Sequence, residues 1–507
     1  MGKRELPDYI EGYGPVIPYK GKIPKYHKLS KRILSTRQAS KVTTLLNAIE
    51  SAGLKDGMTI SFHHHLRNGD HVMLYVLSVL KEKGIRDLTL SASSISKAHD
   101  SILPFIVDGT ITKIYTSGLR SQLAEIIQKE SPLKAPVVFM THGGRARAIE
   151  AGDLEIDLAF VAASCADNHG NINGKYGESS FGAIGYPMPD VLYAHSSIII
   201  TDNLVERAEA SISGDYIDYV VLVDSIGDPS LIATGSTRMS YKPMDLLIAK
   251  KASKAIIASG MIKNDLAFQA GSGAISLAVC RYLKEYMQKN NIVGKFALGG
   301  ITSDLVNFLN AGVFKRLYDV QTFGLDAVES LRKNENHMEI SAHDYANPNN
   351  LECLVKQLDI MILSATEIDT EFNINSLTGS NGVMMGALGG APDTATGAKV
   401  TVVVAPSMRK RIPIIVDHVV TICTPGEFVD MLVTERGISV NPRRDDLKRL
   451  LESADIEVMD IHELKDKIHR ITGAPNTIRY GDQIVGVVEY RDGTVLDVIY
   501  NKKQTEV

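Results

Sequence analysis

The sequence predicts an α/β protein in two halves, each a mostly parallel sheet covered by helices. Three observations carry this reading. Short apolar runs alternate with helical patterns from residue 41 onward, as in sheets buried on both faces. A second series of the same rhythm begins near Asp245. Between the apolar runs LDIMILSATEID and VTVVVAPS lies GSNGVMMGALGGAPDTATGAK, with Gly379, Gly382, Gly386, Gly389, Gly390 and Gly397. Two buried strands around such a loop let backbone N–H groups approach a ligand closely, whereas an ordinary turn needs only one or two glycines.

In the first half, Ser40 reads as the N-cap of a helix over 41–52, followed by a strand over 58–62. A helix over 71–84 ends on Gly84 as a C-cap, and a strand over 87–93 follows. ITKIYTSG, APVVFMTHGG and DLAFVAAS continue the strands. In the second half a helix on DLLIAKKAS precedes an expected strand over 254–260, then FQAGSGAISLAVCRYLKEYMQKN, GKFALGGITSDLVNFLNAG and FKRLYDVQTFG. IPIIVDHV, VDMLVTERG and the antiparallel pair QIVGVVEYRDGTVLDVIY close the chain, with Arg491-Asp492-Gly493-Thr494 as a hairpin turn. The resulting division is an arm over 1–28, a first α/β domain over 29–240 and a second over 241–507. The arm is either loose or wraps a partner subunit.

Composition narrows the function classes. The 507 residues leave room for two or three domains, and 44% hydrophobic with 22% charged residues is an ordinary globular balance. A net charge of −4, without a Lys/Arg cluster interleaved with aromatics, gives no reason to expect nucleic acid. Cys165, Cys280, Cys353 and Cys423 lie far apart with no C-x-x-C pair, which argues for a reducing compartment without a disulfide frame or zinc ribbon. The N-terminus lacks an apolar signal core, and no run reaches the length of a membrane span. A cytoplasmic protein is expected.

Ligands of open α/β sheets bind beyond the carboxyl ends of strands, so polar segments after apolar runs are the candidates. SFHHHLRNGD offers His63, His64, His65 and Arg67. On extended backbone only His63 and His65 share a face, and no third metal ligand sits at a recognisable spacing. A metal, an anion held with Arg67 and a solvated polar loop are the readings this segment allows. THGGRARAI places Gly143 and Gly144 at a helix start beside Arg145 and Arg147, suited to a carboxylate or phosphate. QAGSGAISLAV resembles a phosphate loop but is not G-x-G-x-x-G, so a dinucleotide is not expected. ALGGIT puts Gly299-Gly300 directly after a strand. No G-x-S-x-G elbow exists and no cysteine adjoins a histidine. Glu367 and Asp369 end an apolar strand, as a capping pair or as acid–base groups.

These strings together resemble the coenzyme A-transferase superfamily, most closely the citrate lyase alpha subunits. QAGSGAISL, ALGGIT, LSATEIDTEFNINSLTGSNGVMMGALGGAPDTATGAK and TPGEFVDMLVTERGISVNPR occur in the superfamily's order. SFHHHLRNGD, YTSGLRSQLAE, THGGRARAIEAGDLEIDLAFVAASCADNHGNING and ATGSTRMSYKP add the first half, so the resemblance runs from about Lys41 to the C-terminus. It implies two open domains facing each other, with thioester chemistry in the cleft. Many of these transferases carry a nucleophilic glutamate just after the strand that here reads GKFALGGIT. This chain has Gly299-Gly300-Ile301-Thr302 there, with no carboxylate until Asp304. Citrate lyase alpha subunits are understood to manage without one: citrate itself attacks the acetyl thioester, giving a mixed citric–acetic anhydride.

The resemblance also implies a division of labour. Gly299, Gly300 and Glu367 would serve catalysis, and His63, His64, Arg67, Gly143, Gly144 and Arg145 would bind citrate. Gln269, Gly271, Gly273, Gly386, Gly389, Gly390 and Asp393 would line the thioester path. No metal and no covalently bound cofactor are expected on this chain. The thioester would be carried as phosphoribosyl-dephospho-coenzyme A on an acyl carrier protein (the gamma subunit), with acetyl-coenzyme A or citryl-coenzyme A as alternatives. The beta subunit (citryl lyase), citrate and acetate would be the other partners, in an oligomer. The competing readings are a transferase or hydrolase of the same fold acting on free acyl-coenzyme A, and a non-catalytic sensor.

Overall fold

The computed structural model describes residues 5–21, 40–233 and 239–502. Two large sheets organise it. The first has ten strands in the spatial order 495–502, 480–489, 137–139, 111–116, 88–92, 59–62, 158–163, 196–201, 219–222 and 42–43. Every pairing in it is parallel except the terminal hairpin Tyr480–Glu489 with Val495–Lys502. The second has eight strands in the order 337–339, 317–322, 296–301, 267–270, 360–363, 400–404, 431–433 and 438–440, antiparallel only at the last pair. Strands such as Leu88–Ala92 and Val400–Val404 are buried at every residue, as continuous apolar runs in helix-covered parallel sheets should be.

Several elements differ from the sequence expectation. The helix expected over 41–52 is Leu45–Ser51, capped by the Thr44 hydroxyl, which accepts from Asn47 N–H at 3.2 Å. The β-branched Val42 and Thr43 form an edge strand instead, and Lys41 is buried with its ammonium on the Gly214 and Ile217 carbonyls, both at 2.6 Å. The expected strand over 254–260 is the end of one helix, Pro243–Ala258. Ile248, Ala249, Ala252, Ala255 and Ile256 are buried along it at helical spacing, which a short apolar run conceals. The run ending in Glu367 and Asp369 is two strands: Ile360–Leu363 in the large sheet, and Glu367–Asp369 in a side sheet with Ile374–Asn375 and Ile415–Val416.

The terminal hairpin belongs to the first sheet, since Gly486, Val487 and Val488 pair with Val137, Val138 and Phe139. Division at residue 240 therefore does not separate the two sheets. Its turn is as expected, with Gly493 in the left-handed region and its N–H on the Tyr490 carbonyl at 2.9 Å. The described part of the arm, 5–21, docks on this same hairpin: Leu6, Tyr13 and Val16 pack on Ile10, Val487, Val495 and Val498. The Tyr13 hydroxyl donates to Glu489 at 2.8 Å. Residues 22–28 of the arm lie outside the described residues.

The glycine-rich segment crosses between the halves. Leu377, Met384 and Leu388 are buried in the core of the first sheet. Leu119 N–H donates to the Gly386 carbonyl (3.1 Å), and Leu388 N–H to the Ser117 carbonyl (2.8 Å). The loop thus runs along the carboxyl ends of the first sheet's strands.

Candidate active site

Four adjacent parallel strands of the first sheet end in polar segments at one place: Phe62 leads to His63, Ala92 to Ser93, Thr116 to Ser117, and Phe139 through Met140 to Thr141. Ser93 ties two of these ends together. Its hydroxyl lies 2.6 Å from His64 Nδ1 and accepts from His64 N–H at 3.1 Å, while its carbonyl accepts from Ser117 at 2.6 Å. The His64 ring faces Tyr186 at 5.4 Å and His142 at 5.9 Å, and His142 lies 4.3 Å from Tyr186. Burial, then neighbouring imidazoles and the Arg67 and Arg120 guanidiniums, hold His64 well below the ordinary histidine range. His142 is pushed down to about 3, by burial first and then by Arg145 and Arg120. Both imidazoles are therefore neutral at physiological pH.

Positive charge comes from arginine. Arg67 adopts a left-handed backbone and lays its guanidinium 4.7 Å from the centre of the Phe323 ring. Burial and then Arg120 lower it to about 10, which leaves it charged. Arg120 is solvent-exposed, yet sits in a recess tight enough for desolvation to lower its pKa, and Nη1 donates to Ser94 Oγ at 3.3 Å. Two guanidiniums close enough to sense each other, beside neutral rings, make a site for an anion of more than one charge.

The second half supplies the facing wall. Gln321 Nε2 donates to the His64 carbonyl at 3.0 Å. Gly299 and Gly300 lie inside the strand Phe296–Ile301 rather than after it, at a register shift, with Gly299 at φ 113°. A Cβ on Gly299 would overlap the Gln269 amide, and one on Gly300 the Phe323 ring. Gln269 Nε2 donates to Tyr345 Oη at 2.9 Å. That hydroxyl lies 2.5 Å from where a Gly390 Cβ would be, and the Gly389 carbonyl accepts from His142 N–H at 3.0 Å. His64, His142, Tyr186, Arg67 and Arg120 thus meet Gln269, Gly299, Gly300, Phe323, Tyr345, Gly389 and Gly390 at the junction of the two halves.

Other expected residues lie elsewhere or are already engaged. Arg145 makes two 2.6 Å contacts with Asp190, and His63 Nε2 is 3.4 Å from the same carboxylate, all buried. Burial opposes Asp190 ionisation, but Arg145 and His63 outweigh it and hold the carboxyl well below the usual range. That pair is a strut, and His63 and Arg145 have no exposed face for citrate. The helix start at Gly143 and Gly144 is filled from within: Gly143 N–H donates to Asp393 at 2.9 Å and Gly144 N–H to Thr141 at 2.8 Å. Asp393, expected on the thioester path, is buried there as this cap, with Arg491 Nε at 3.3 Å. Gly386 abuts the Ser376 backbone and Gly397 that of Val355, so these glycines serve packing. Gly271 N–H is bound to the Ile362 carbonyl at 2.8 Å, and Gly273 faces Ser364; both flank the start of the helix Ala274–Lys289. Glu367 is buried in the side sheet, accepting from Asn375 Nδ2 at 3.0 Å and Val420 N–H at 3.1 Å. Asp369 likewise binds Glu371, Asn373 and Val419. The acid–base role expected of Glu367 does not fit these partners.

Sequence reasoning missed His142, Arg120, Tyr186, Phe323 and Tyr345. His142 and Arg120 carried a usable signal, since each follows an apolar run within a quoted motif. Among the described residues no group of three or more His, Cys, Asp or Glu could hold a metal, and no helix is long and apolar enough to cross a membrane.

The family model described as citrate lyase, alpha subunit (CitF) matches residues 39–502. The chain belongs to the citrate lyase alpha subunit family. The family's description makes its members one subunit type of a multi-subunit enzyme. The citrate lyase alpha chain of Haemophilus influenzae is 46% identical over 483 residues, 95% of this chain and 96% of that one. The crystal structure of the citrate lyase alpha subunit of Streptococcus mutans in complex with citrate is similar at a TM-score of 0.95 and 43% identity, covering 99% of each chain. The malonate decarboxylase alpha subunit of Acinetobacter baumannii, at 16% identity and a TM-score of 0.64 over 86% of this chain and 88% of that one, shares the fold alone.

Proposed function

We propose that this member of the family transfers a carrier thiol from acetyl to citrate, yielding citryl-carrier and acetate, without an enzyme-bound thioester. The observation that carries the reading is the pairing of Arg67 and Arg120 beside neutral His64 and His142, opposite two Gly pairs. The strand end that holds the nucleophilic glutamate in many related transferases is Gly299-Gly300-Ile301 here. Asp304, the next carboxylate in sequence, is in the first turn of the following helix, where burial raises its pKa and Lys284 offsets only part of the shift. Glu367 is occupied in the side sheet.

In this reading a citrate carboxylate oxygen attacks the acetyl carbonyl carbon, and the carbonyl electron pair moves onto its oxygen. Collapse re-forms C=O and expels the carrier thiolate, leaving the mixed anhydride. The thiolate then attacks the citryl carbonyl and acetate leaves, so one carboxylate is consumed, one released, and no net proton moves. Holding both reactants in register is worth up to about 7–11 kcal/mol. Each donor aimed at the developing oxyanion is worth about 3–4 kcal/mol. The citrate complex of the Streptococcus mutans relative supports citrate as the acceptor.

The carrier is the gamma subunit bearing phosphoribosyl-dephospho-coenzyme A, and the beta subunit cleaves the citryl product. The complex works in the cytoplasm, in keeping with four free, buried cysteines. The test is acetate release from acetylated carrier by the purified chain, with citrate compared with acetate or butyrate as acceptor. Release that depends on citrate supports the reading; hydrolysis indifferent to citrate would falsify it.

A further inference from the structure

Gln269 and Tyr345 are two buried polar side chains of the site that bond each other and leave hydrogen-bonding capacity unused. Gln269 is 6% exposed and Tyr345 2%. Gln269 gives an amide hydrogen to Tyr345 Oη at 2.9 Å, while its Oε1 has no partner among the described residues. The Tyr345 oxygen therefore acts as acceptor, and its own hydrogen finds no acceptor among the described residues. A buried hydroxyl with an unused hydrogen is costly unless something else takes it.

The pair also has a telling position. The Gln269 amide fills the space that a Gly299 side chain would take, and Tyr345 Oη borders the space of a Gly390 side chain, 2.5 Å from the Cβ position. It spans the two glycine pairs, Gly299-Gly300 and Gly389-Gly390.

We propose that the Tyr345 hydroxyl, oriented by Gln269, is a catalytic oxyanion donor: it donates a hydrogen bond to the carbonyl oxygen of the acyl group under attack. The donor is fixed before substrate arrives, so it needs no reorganisation when charge develops. Burial raises the phenol far above its ordinary pKa, so it keeps its hydrogen throughout. It gives a hydrogen bond and not a proton, in both the attack on the acetyl thioester and the return attack on the anhydride. Gln269 is the positioning residue, acting through Tyr345.

This inference rests on the transfer reading above, and the experiment separates the two. Acetate release from acetylated carrier plus citrate is measured for the wild-type chain, Tyr345→Phe, Gln269→Met and the double variant. Tyr345→Phe should lower kcat about 10²–10³-fold with both KM values nearly unchanged, the pattern of an interaction made in the transition state. Gln269→Met keeps the hydroxyl and loses its holder, so it should lower kcat by less. The double variant should be no slower than Tyr345→Phe, because the two act as a unit. If Tyr345→Phe turns over at the wild-type rate, or raises a KM at constant kcat, the hydroxyl is not the donor. Should Tyr345→Phe not fold, an unaltered kcat in Gln269→Met overturns the proposal in its place. A wild-type chain that releases no acetate would sink the transfer reading instead.

Discussion

Asp393 reaches across from the second half to cap the helix His142–Ala151 of the first, one oxygen on Gly143 N–H and the other on the Thr141 hydroxyl, each at 2.9 Å. Gly143 is required there, since a Cβ would overlap the Ala346 carbonyl and press on Asp393. The cap fixes where His142 and Gly389 sit, bonded to each other where the two halves meet. Burial, only partly offset by Arg491, pushes the carboxyl from 3.8 up to about 6.

That shift predicts a pH signature. With the folded pKa above the unfolded one, the folded chain holds this proton more tightly. The contribution is full below about pH 4 and is lost as pH rises through about 6, up to roughly 3 kcal/mol. Asp393→Asn should remove that slope from denaturation curves taken across the window. Glu489, pushed by burial to about 7, has the same sign, so the informative quantity is wild type minus variant. Parallel stability curves would mean the carboxyl does not titrate there.

Arg67 and Arg120 should govern citrate. Hydrogen bonds to charged groups are worth about 1.5–3 kcal/mol, so Arg67→Ala should raise the citrate KM at least about tenfold and leave the carrier KM largely unaffected. Arg120→Ala should act in the same direction. Equal rises in both KM values would show that the guanidiniums serve structure rather than recognition.

Glycine substitutions should separate the two walls of the cleft. Gly390→Ala crowds the Tyr345 hydroxyl and should cut kcat sharply with little change in Tm. Gly300→Ala pushes on Phe323, the ring under Arg67, and should act mainly on citrate binding. Unchanged turnover in Gly390→Ala would take that loop out of the active site.

No covalent acyl-enzyme should form. Acetylated carrier alone should leave the intact mass of the chain unaltered, and borohydride, which reduces glutamyl thioesters, should leave activity intact. A trapped adduct on Glu367 in a peptide map would return the chain to the ping-pong transferases.

Sequence reasoning reached the strands and the strand ends, because continuous apolar runs followed by polar residues are what helix-covered parallel sheets require. The His63 and His65 rings do lie 6.1 Å apart, but the strand ends at Phe62, and His64 and His65 both lie against Tyr186, so strand alternation does not describe this segment. The helical end over 254–258 was not legible, since a short apolar run fits either period. Nor was the occupancy of the Gly143 helix start, which depends on a carboxylate from the other half of the chain. Tyr345 had no local signal at all: SAHDYANP carries neither periodicity nor a glycine motif. Its importance comes only from what Gln269 brings next to it.

The attachment of the terminal hairpin to the strand Val137–Phe139 has a consequence for biosynthesis. The first sheet cannot be closed by its own half; its edge waits, unpaired, until the last strands leave the ribosome. Until then Val137–Phe139 is an open edge of apolar chain, the kind of surface that recruits chaperones or other nascent chains. A stop codon near residue 240 would not release a working half. It would release a sheet lacking its terminal hairpin and the Asp393 and Arg491 side chains that lock the helix His142–Ala151 in place.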